Sequence, residues 1–161
     1  MDSVPAEADQ ISLRYYAQQH CARQWAHFVA AMFAEFEERV DPVEADQFLL
    51  TLGSRMARSL PLRRCDRLEE LEEDINAVLE GIDWGWARIR ESDEGYIEIV
   101  HGAYPLVPQD EARRSWLAPT LEGLYSEWMG GQGGDEACSA RLVEAPNEVG
   151  APLTFHYGRH G

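Results

Sequence analysis

Apolar positions recur at spacings of three and four over four long stretches, and the period drops to two over four short ones. A helix is expected over 13–40, where Trp25, Phe28, Val29, Met32, Phe36 and Val40 share a stripe. Asp41-Pro42 then punctuates. The Asp41 side chain can accept orphan backbone N–H groups, Pro42 suits a first helical turn, and Glu44 favours the positive end of the dipole. The second helix, 43–59, carries Phe48, Leu49, Leu52 and Met56 and should end before Pro61. Asp66 and Glu69 have the spacing of a capping box for a third helix, 66–81, with Leu68, Leu71, Ile75, Val78, Leu79 and Ile82 inward.

After Gly81 the alternation begins. Trp84, Trp86, Arg88 and Arg90 fall on one face of a strand over 84–90, with Gly85, Ala87 and Ile89 on the other. The Ser92-Asp93-Glu94-Gly95 turn leads to a second strand, 96–101, closing a hairpin. Pro105 and Pro108 mark a loop. A fourth helix is expected over 114–129, its stripe formed by Leu117, Leu121, Leu124, Tyr125 and Trp128, with Pro119 near its start. Glycines 130, 131, 133 and 134 should break it and provide a flexible connector to a second hairpin, 137–143 and 153–157. Connections this short favour antiparallel pairing. The expected class is α+β, a small antiparallel sheet packed on helices, with residues 1–12 as a mobile acidic tail and 13–161 as one domain.

Charge narrows the function. The 161 residues carry 29 Asp and Glu against 14 basic residues, a formal net charge of −15. All 14 are Arg, so neither a phosphate-loop lysine nor a Schiff-base lysine exists. The balance also disfavours nucleic acid and anionic membrane surfaces. No apolar run approaches the ~20 residues that span a bilayer, and the first residues show neither a basic n-region nor an apolar h-region. Three cysteines, Cys21, Cys65 and Cys138, form an odd set without a C-x-x-C pair. Together these features predict a cytoplasmic protein.

Candidate chemistry is sparse. His20 and His27 could share a helix face but lack a third ligand, so no metal site is expected. His101 has no sequence-evident nucleophile or carboxylate beside it. Glu37/Glu38 and Glu72/Glu73 are adjacent on helices and diverge, unlike a glycosidase pair facing across a sugar; they read as solvated faces. No catalytic residue and no cofactor is expected. The aromatics Tyr15, Tyr16, Trp84, Trp86, Tyr104, Trp116 and Trp128 could stack on glucose rings or serve the core and interfaces. Tyr15 and Tyr16 stand out as glucan-contact candidates by their place near the mobile end.

Three segments carry a resemblance to a known family: 74–86 (DINAVLEGIDWGW), 99–106 (IVHGAYPL) and 115–128 (SWLAPTLEGLYSEW). The segment from Tyr15 to Trp25 and Cys65 add to it. The chain resembles the cellulose synthase operon protein D family, an accessory component of the bacterial cellulose synthase complex. That resemblance implies a non-catalytic accessory scaffold, built as a homo-octameric cylinder (a tetramer of dimers) that helps order synthase complexes and the export and crystallisation of glucan chains. It implies as partners the synthase complex components, a proline-rich accessory protein and nascent β-1,4-glucan, without membrane insertion. It implies association with the inner-membrane synthase complex, with the periplasm as the alternative location. In an acidic cylinder, Arg63, Arg64, Arg113 and Arg114 are interface candidates, because the planar guanidinium suits interface ion pairs. Trp116, Leu121 and Trp128 join them as apolar candidates. The helices also offer more apolar surface than one small sheet covers. A second hypothesis is a small-molecule-binding or regulatory α+β module. The helices-then-hairpins order is similar to that of ligand-sensing and trafficking-complex domains, a likeness of topology alone.

Overall fold

A computed structural model describes residues 22–106, 116–146 and 150–161. The expected tail 1–12 and the start of the first helix lie outside them. Within them the chain forms α1 (Arg23–Arg39), α2 (Pro42–Ser59), α3 (Leu68–Gly81), β1 (Trp86–Glu91), β2 (Ile97–Gly102), α4 (Leu117–Gly131), β3 (Cys138–Glu144) and β4 (Leu153–Arg159). This is the expected α+β class, and the boundaries differ from expectation by a few residues.

Local chemistry explains most of the ends. Asp41 caps α2, its carboxylate accepting from the Val43 N–H at 2.9 Å. The Asp66–Glu69 capping box does not form: the residue preceding α3 is Arg67, in extended conformation, with no side-chain cap. The α3 terminus falls at Gly81, as expected. Gly81 remains helical, and Asp83 takes the left-handed conformation (φ 56°) that lets the Trp84 N–H return to the Leu79 carbonyl at 2.9 Å. The glycines after α4 begin as helix, since α4 runs through Gly131.

The four strands form one antiparallel sheet in the order β1-β2-β4-β3. The two hairpins join through β2 and β4, with Ile99 opposite Phe155. Ala87, Ile89, Ile99, Ala140, Leu153, Phe155 and Tyr157 point inward. Trp86, Arg88 and Arg90 face solvent, as the alternation predicts.

Helix α4 packs against both α2 and the β3–β4 hairpin. It is buried nearly all round, from Ala118 and Pro119 to Trp128 and Met129, as expected of a helix apolar on every side. Its crossing with α2 is backbone against backbone. A Cβ on Gly53 would lie 1.9 Å from the Thr120 carbonyl oxygen, and one on Gly123 would lie 1.9 Å from the Leu50 carbonyl oxygen. The Ser54 hydroxyl donates to the Gly123 carbonyl at 3.3 Å beside this contact.

Both edges of the sheet are covered by helix side chains at the same spacing. On α3, Asn76 accepts from the Ala87 N–H and Glu72 from the Ile89 N–H. On α4, Ser126 accepts from the Ala140 N–H and Glu122 from the Leu142 N–H. An i,i+4 pair on one helix face thus reaches alternate outward N–H groups of an edge strand. Glu72 is therefore a structural acceptor and not part of a solvated acidic face.

The glycine contact yields a direct expectation. Gly53→Ala or Gly123→Ala drives a methyl into an opposing backbone and should lower stability by about 3 kcal/mol, a melting-temperature drop of about 6–12 °C. Gly130→Ala meets nothing within 4 Å and should leave stability unchanged or raise it by up to ~1 kcal/mol. Thermal unfolding of the three variants checks the contrast.

Candidate functional site

The first two helices leave an apolar face uncovered. Among the described residues, Trp25 is 56% exposed, Phe28 62% and Met32 37% on α1, with Phe48 at 50% on α2. The stripe predicted for α1 exists, but only part of it packs on the other described residues. Ala26 is buried. Phe33 stacks on Trp116 with ring centroids 4.9 Å apart, and Phe36 leans on Phe48 at 5.1 Å. Trp25 and Phe28 form an edge-to-face pair at 6.0 Å on the solvent side. Among the described residues, nothing encloses Trp25, Phe28 and Met32. An aromatic and methionine surface of this kind is the composition of a contact region.

Those residues singled out in the sequence that are described do not gather into one site. Tyr15, Tyr16, Arg113 and Arg114 lie outside the described residues. Arg63 is engaged within the chain: its backbone N–H and Nε both donate to the Asp74 carboxylate, at 2.8 and 2.9 Å. Partial burial raises the Asp74 carboxyl, but the two bonds and charge of Arg63 outweigh it and bring the pKa below its ordinary value. Arg64 is exposed. Trp116 is half-buried on Phe33, next to the uncovered face. Leu121 and Trp128 are expected at an interface from the sequence, but the chain encloses both in its own core. Leu121 has no exposed surface, and the Trp128 indole N–H donates to the Leu60 carbonyl at 2.9 Å. Their stripe faces the chain's own elements because α4 is central.

His101, for which the sequence offers no partner, is wholly buried. Its Nε2–H donates to the Trp84 carbonyl at 2.8 Å, since a carbonyl can only accept. That fixes Nδ1 as acceptor for the Tyr125 hydroxyl, 2.5 Å away. One imidazole thus ties β2 to the α3–β1 connection and to α4. Burial pushes the ring down to about 4 despite the Trp84 bond, which favours the proton. Burial also raises the Tyr125 hydroxyl well above its ordinary value. The ring is neutral and closed to solvent, so it acts as a structural link. Among the described residues no group of three His, Cys, Asp or Glu side chains could hold a metal ion. No described helix is long and apolar enough to cross a membrane.

Comparison with known proteins supplies the family. A family model for the D-type subunit of cellulose synthase matches residues 11–158. A cellulose synthase operon protein D of Komagataeibacter xylinus is 32% identical over 109 residues, covering 66% of this chain and 70% of the relative. The protein of the same name from Komagataeibacter sucrofermentans is 31% identical over the same length and shares. Among solved structures, trafficking protein particle complex subunit 3 from Naegleria fowleri, covalently bound to palmitic acid, is similar with a TM-score of 0.53. That match covers 91% of this chain and 94% of the other at 11% identity, a likeness of fold alone.

The buried histidine sets a pH expectation. The unfolded chain takes up a proton on His101 below its ordinary pKa of 6.5, whereas the folded chain resists until about 4. The stability this neutral ring contributes is therefore full above pH 6.5, declines between 6.5 and 4, and is gone below. The loss should reach on the order of 3 kcal/mol. Denaturant unfolding across that range, compared with His101→Gln, checks it: the variant should show a shallower decline.

Proposed function

The chain belongs to the cellulose synthase operon protein D family, and from that premise we propose that it is a non-catalytic scaffold that assembles through the uncovered face of α1 and α2. Family membership supports a role in cellulose biosynthesis as an accessory component associated with the synthase complex. The finer reading is a homo-octamer, a tetramer of dimers, that orders synthase complexes and guides nascent β-1,4-glucan during export and crystallisation. It works at the cytoplasmic side of the inner-membrane synthase, with Tyr15 and Tyr16 as glucan contacts and a proline-rich protein as a further partner.

One observation carries the assembly part: the exposed Trp25, Phe28, Met32 and Phe48 surface. Apolar area on this scale is stabilised by removal from water, and a second copy supplies the same apolar residue types in return. The covered N–H groups of β1 and β3 support the same route, because they direct association to helix faces and away from strand addition. A net charge of −15 per chain adds a constraint. Acidic side chains must stay on the solvent side of any assembly, and a patch made of aromatics and Met brings none into the contact.

Sedimentation of the purified chain tests the proposal. The expected species is eight times the 18.2 kDa chain. Phe28→Asp combined with Trp25→Ser should yield smaller species with unchanged thermal unfolding of the protomer, because both side chains are mostly outside its core. In a strain lacking the gene, the same variant should restore less cellulose than the unmodified chain. A strict monomer across micromolar concentrations overturns the scaffold reading.

A further inference from the structure

At the open end of the first hairpin, a cleft of about 340 Å³ lies between the last turn of α3 and the start of β1, within the ~300–1,000 Å³ range of small-molecule sites. It is lined by Asn76, Glu80, Asp83, Gly85, Trp86 and Ala103. Its walls are held in fixed positions. Asn76 is fully engaged, its amide donating to the Glu72 and Ala87 carbonyls and accepting from the Ala87 N–H. Asp83 and Ala103 have left-handed backbone, with φ of 56° and 54°. A Cβ on Gly85 would strike the Gly102 carbonyl oxygen at 2.0 Å.

Trp86 is the aromatic residue of the lining. It pairs across the strands with Gly102. A Cβ on Gly102 would lie 2.3 to 2.9 Å from Cζ2, Cε2 and Nε1 of the indole. The ring therefore rests on the bare Cα of that glycine and stays 39% exposed. An aromatic plate held in place before binding loses little freedom when a ligand arrives.

The lining chemistry selects the ligand class. Glu80 and Asp83 offer carboxylate oxygens, which repel anions and accept strongly from hydroxyl groups. Arg88 projects from the same face of β1 two residues on, about 6.7 Å along the strand. Arg88 is not among the lining residues and can donate only to a ligand that extends beyond the cleft. An aromatic plate with carboxylate acceptors beside it suits a ring with an apolar C–H face and hydroxyls at its rim. We propose that this cleft holds a pyranose ring of a β-1,4-glucan, with Trp86 stacked on the ring and Glu80 and Asp83 accepting from its hydroxyls. The choice of glucan among hydroxylated rings rests on the cellulose reading above; the stacking chemistry does not.

Titration of the full-length 15N-labelled protein with cellohexaose tests it through the indole N–H resonances. The Trp86 signal, assigned with Trp86→Phe, should shift saturably at millimolar ligand. Trp86→Ala, and independently Glu80→Gln with Asp83→Asn, should weaken binding at least tenfold without altering assembly size. The carboxamide variants keep the backbone shape, so they remain informative if Trp86→Ala fails to fold. No shift at Trp86, or cellohexaose binding that all these variants leave unchanged, overturns the proposal. So does a Trp86 shift produced by N-acetylarginine amide and not by cellohexaose. Cellulose yield in a strain lacking the gene separates the two readings. If the unmodified chain restores yield while the cleft binds nothing, only the cleft assignment fails. If it does not restore yield, the cellulose reading fails whatever the titration shows.

Discussion

Two carbonyl oxygens set the geometry of this protein. Each lies where a side chain on the opposing helix would begin, so α2 and α4 can cross as they do only with Gly53 and Gly123 at the contact. Helix–helix packing ordinarily interleaves side chains at 8–10 Å; here bare backbone replaces them at one point. That approach lets α4 serve two partners at once. One flank meets α2 and the other meets the inner face of β3 and β4, which explains why its stripe widens to cover almost the whole helix. The Trp128 bond to Leu60 and the His101 bond to Tyr125 then fasten the helix at separate points along its length.

The element order is legible in the sequence because periodicity is local. Alternation of Trp86, Arg88 and Arg90 against Ala87 and Ile89 gives both the strand and its faces, and the Asp41-Pro42 start of α2 follows from cap chemistry alone. What the pattern does not encode is which molecule covers a face. Trp25, Phe28 and Met32 have the spacing of core residues, and Leu121 and Trp128 have it equally. The first set is exposed and the second enclosed, because burial depends on which helix becomes central, and that follows from the long-range crossing in which Gly53 meets Thr120 and Gly123 meets Leu50. A glycine inside an otherwise helical stretch is the sequence signal that points there.

Side-chain bonding is the least legible layer. Glu72, Asn76, Glu122 and Ser126 look in sequence like ordinary polar helix positions. Their role appears only when β1 and β3 are seen as the two sheet edges, which depends on the β2–β4 pairing that joins the hairpins. The Trp86 cleft follows the same logic. Sequence places Trp86 among the aromatics able to stack on sugars, but its support on Gly102 and its closeness to Glu80 and Asp83 come from the α3 terminus, where Asp83 rather than Gly81 adopts the left-handed turn. Of the four arginines read as interface candidates, Arg63 is tied to Asp74 within its own chain, a partner eleven residues away in sequence.

The covered sheet edges have a consequence for the material this family helps produce. Cellulose is a polymer of hydroxyl groups, each able to accept a hydrogen bond from any free donor. A strand edge with unmet N–H groups is a regular row of such donors, repeated at about 6.7 Å. Exposed beside a growing glucan chain, that row would act as adhesive and hold product that must keep moving. The outward N–H groups of Ala87, Ile89, Ala140 and Leu142 are already satisfied from within, so along these stretches the backbone presents no row of free donors to a polyhydroxyl chain.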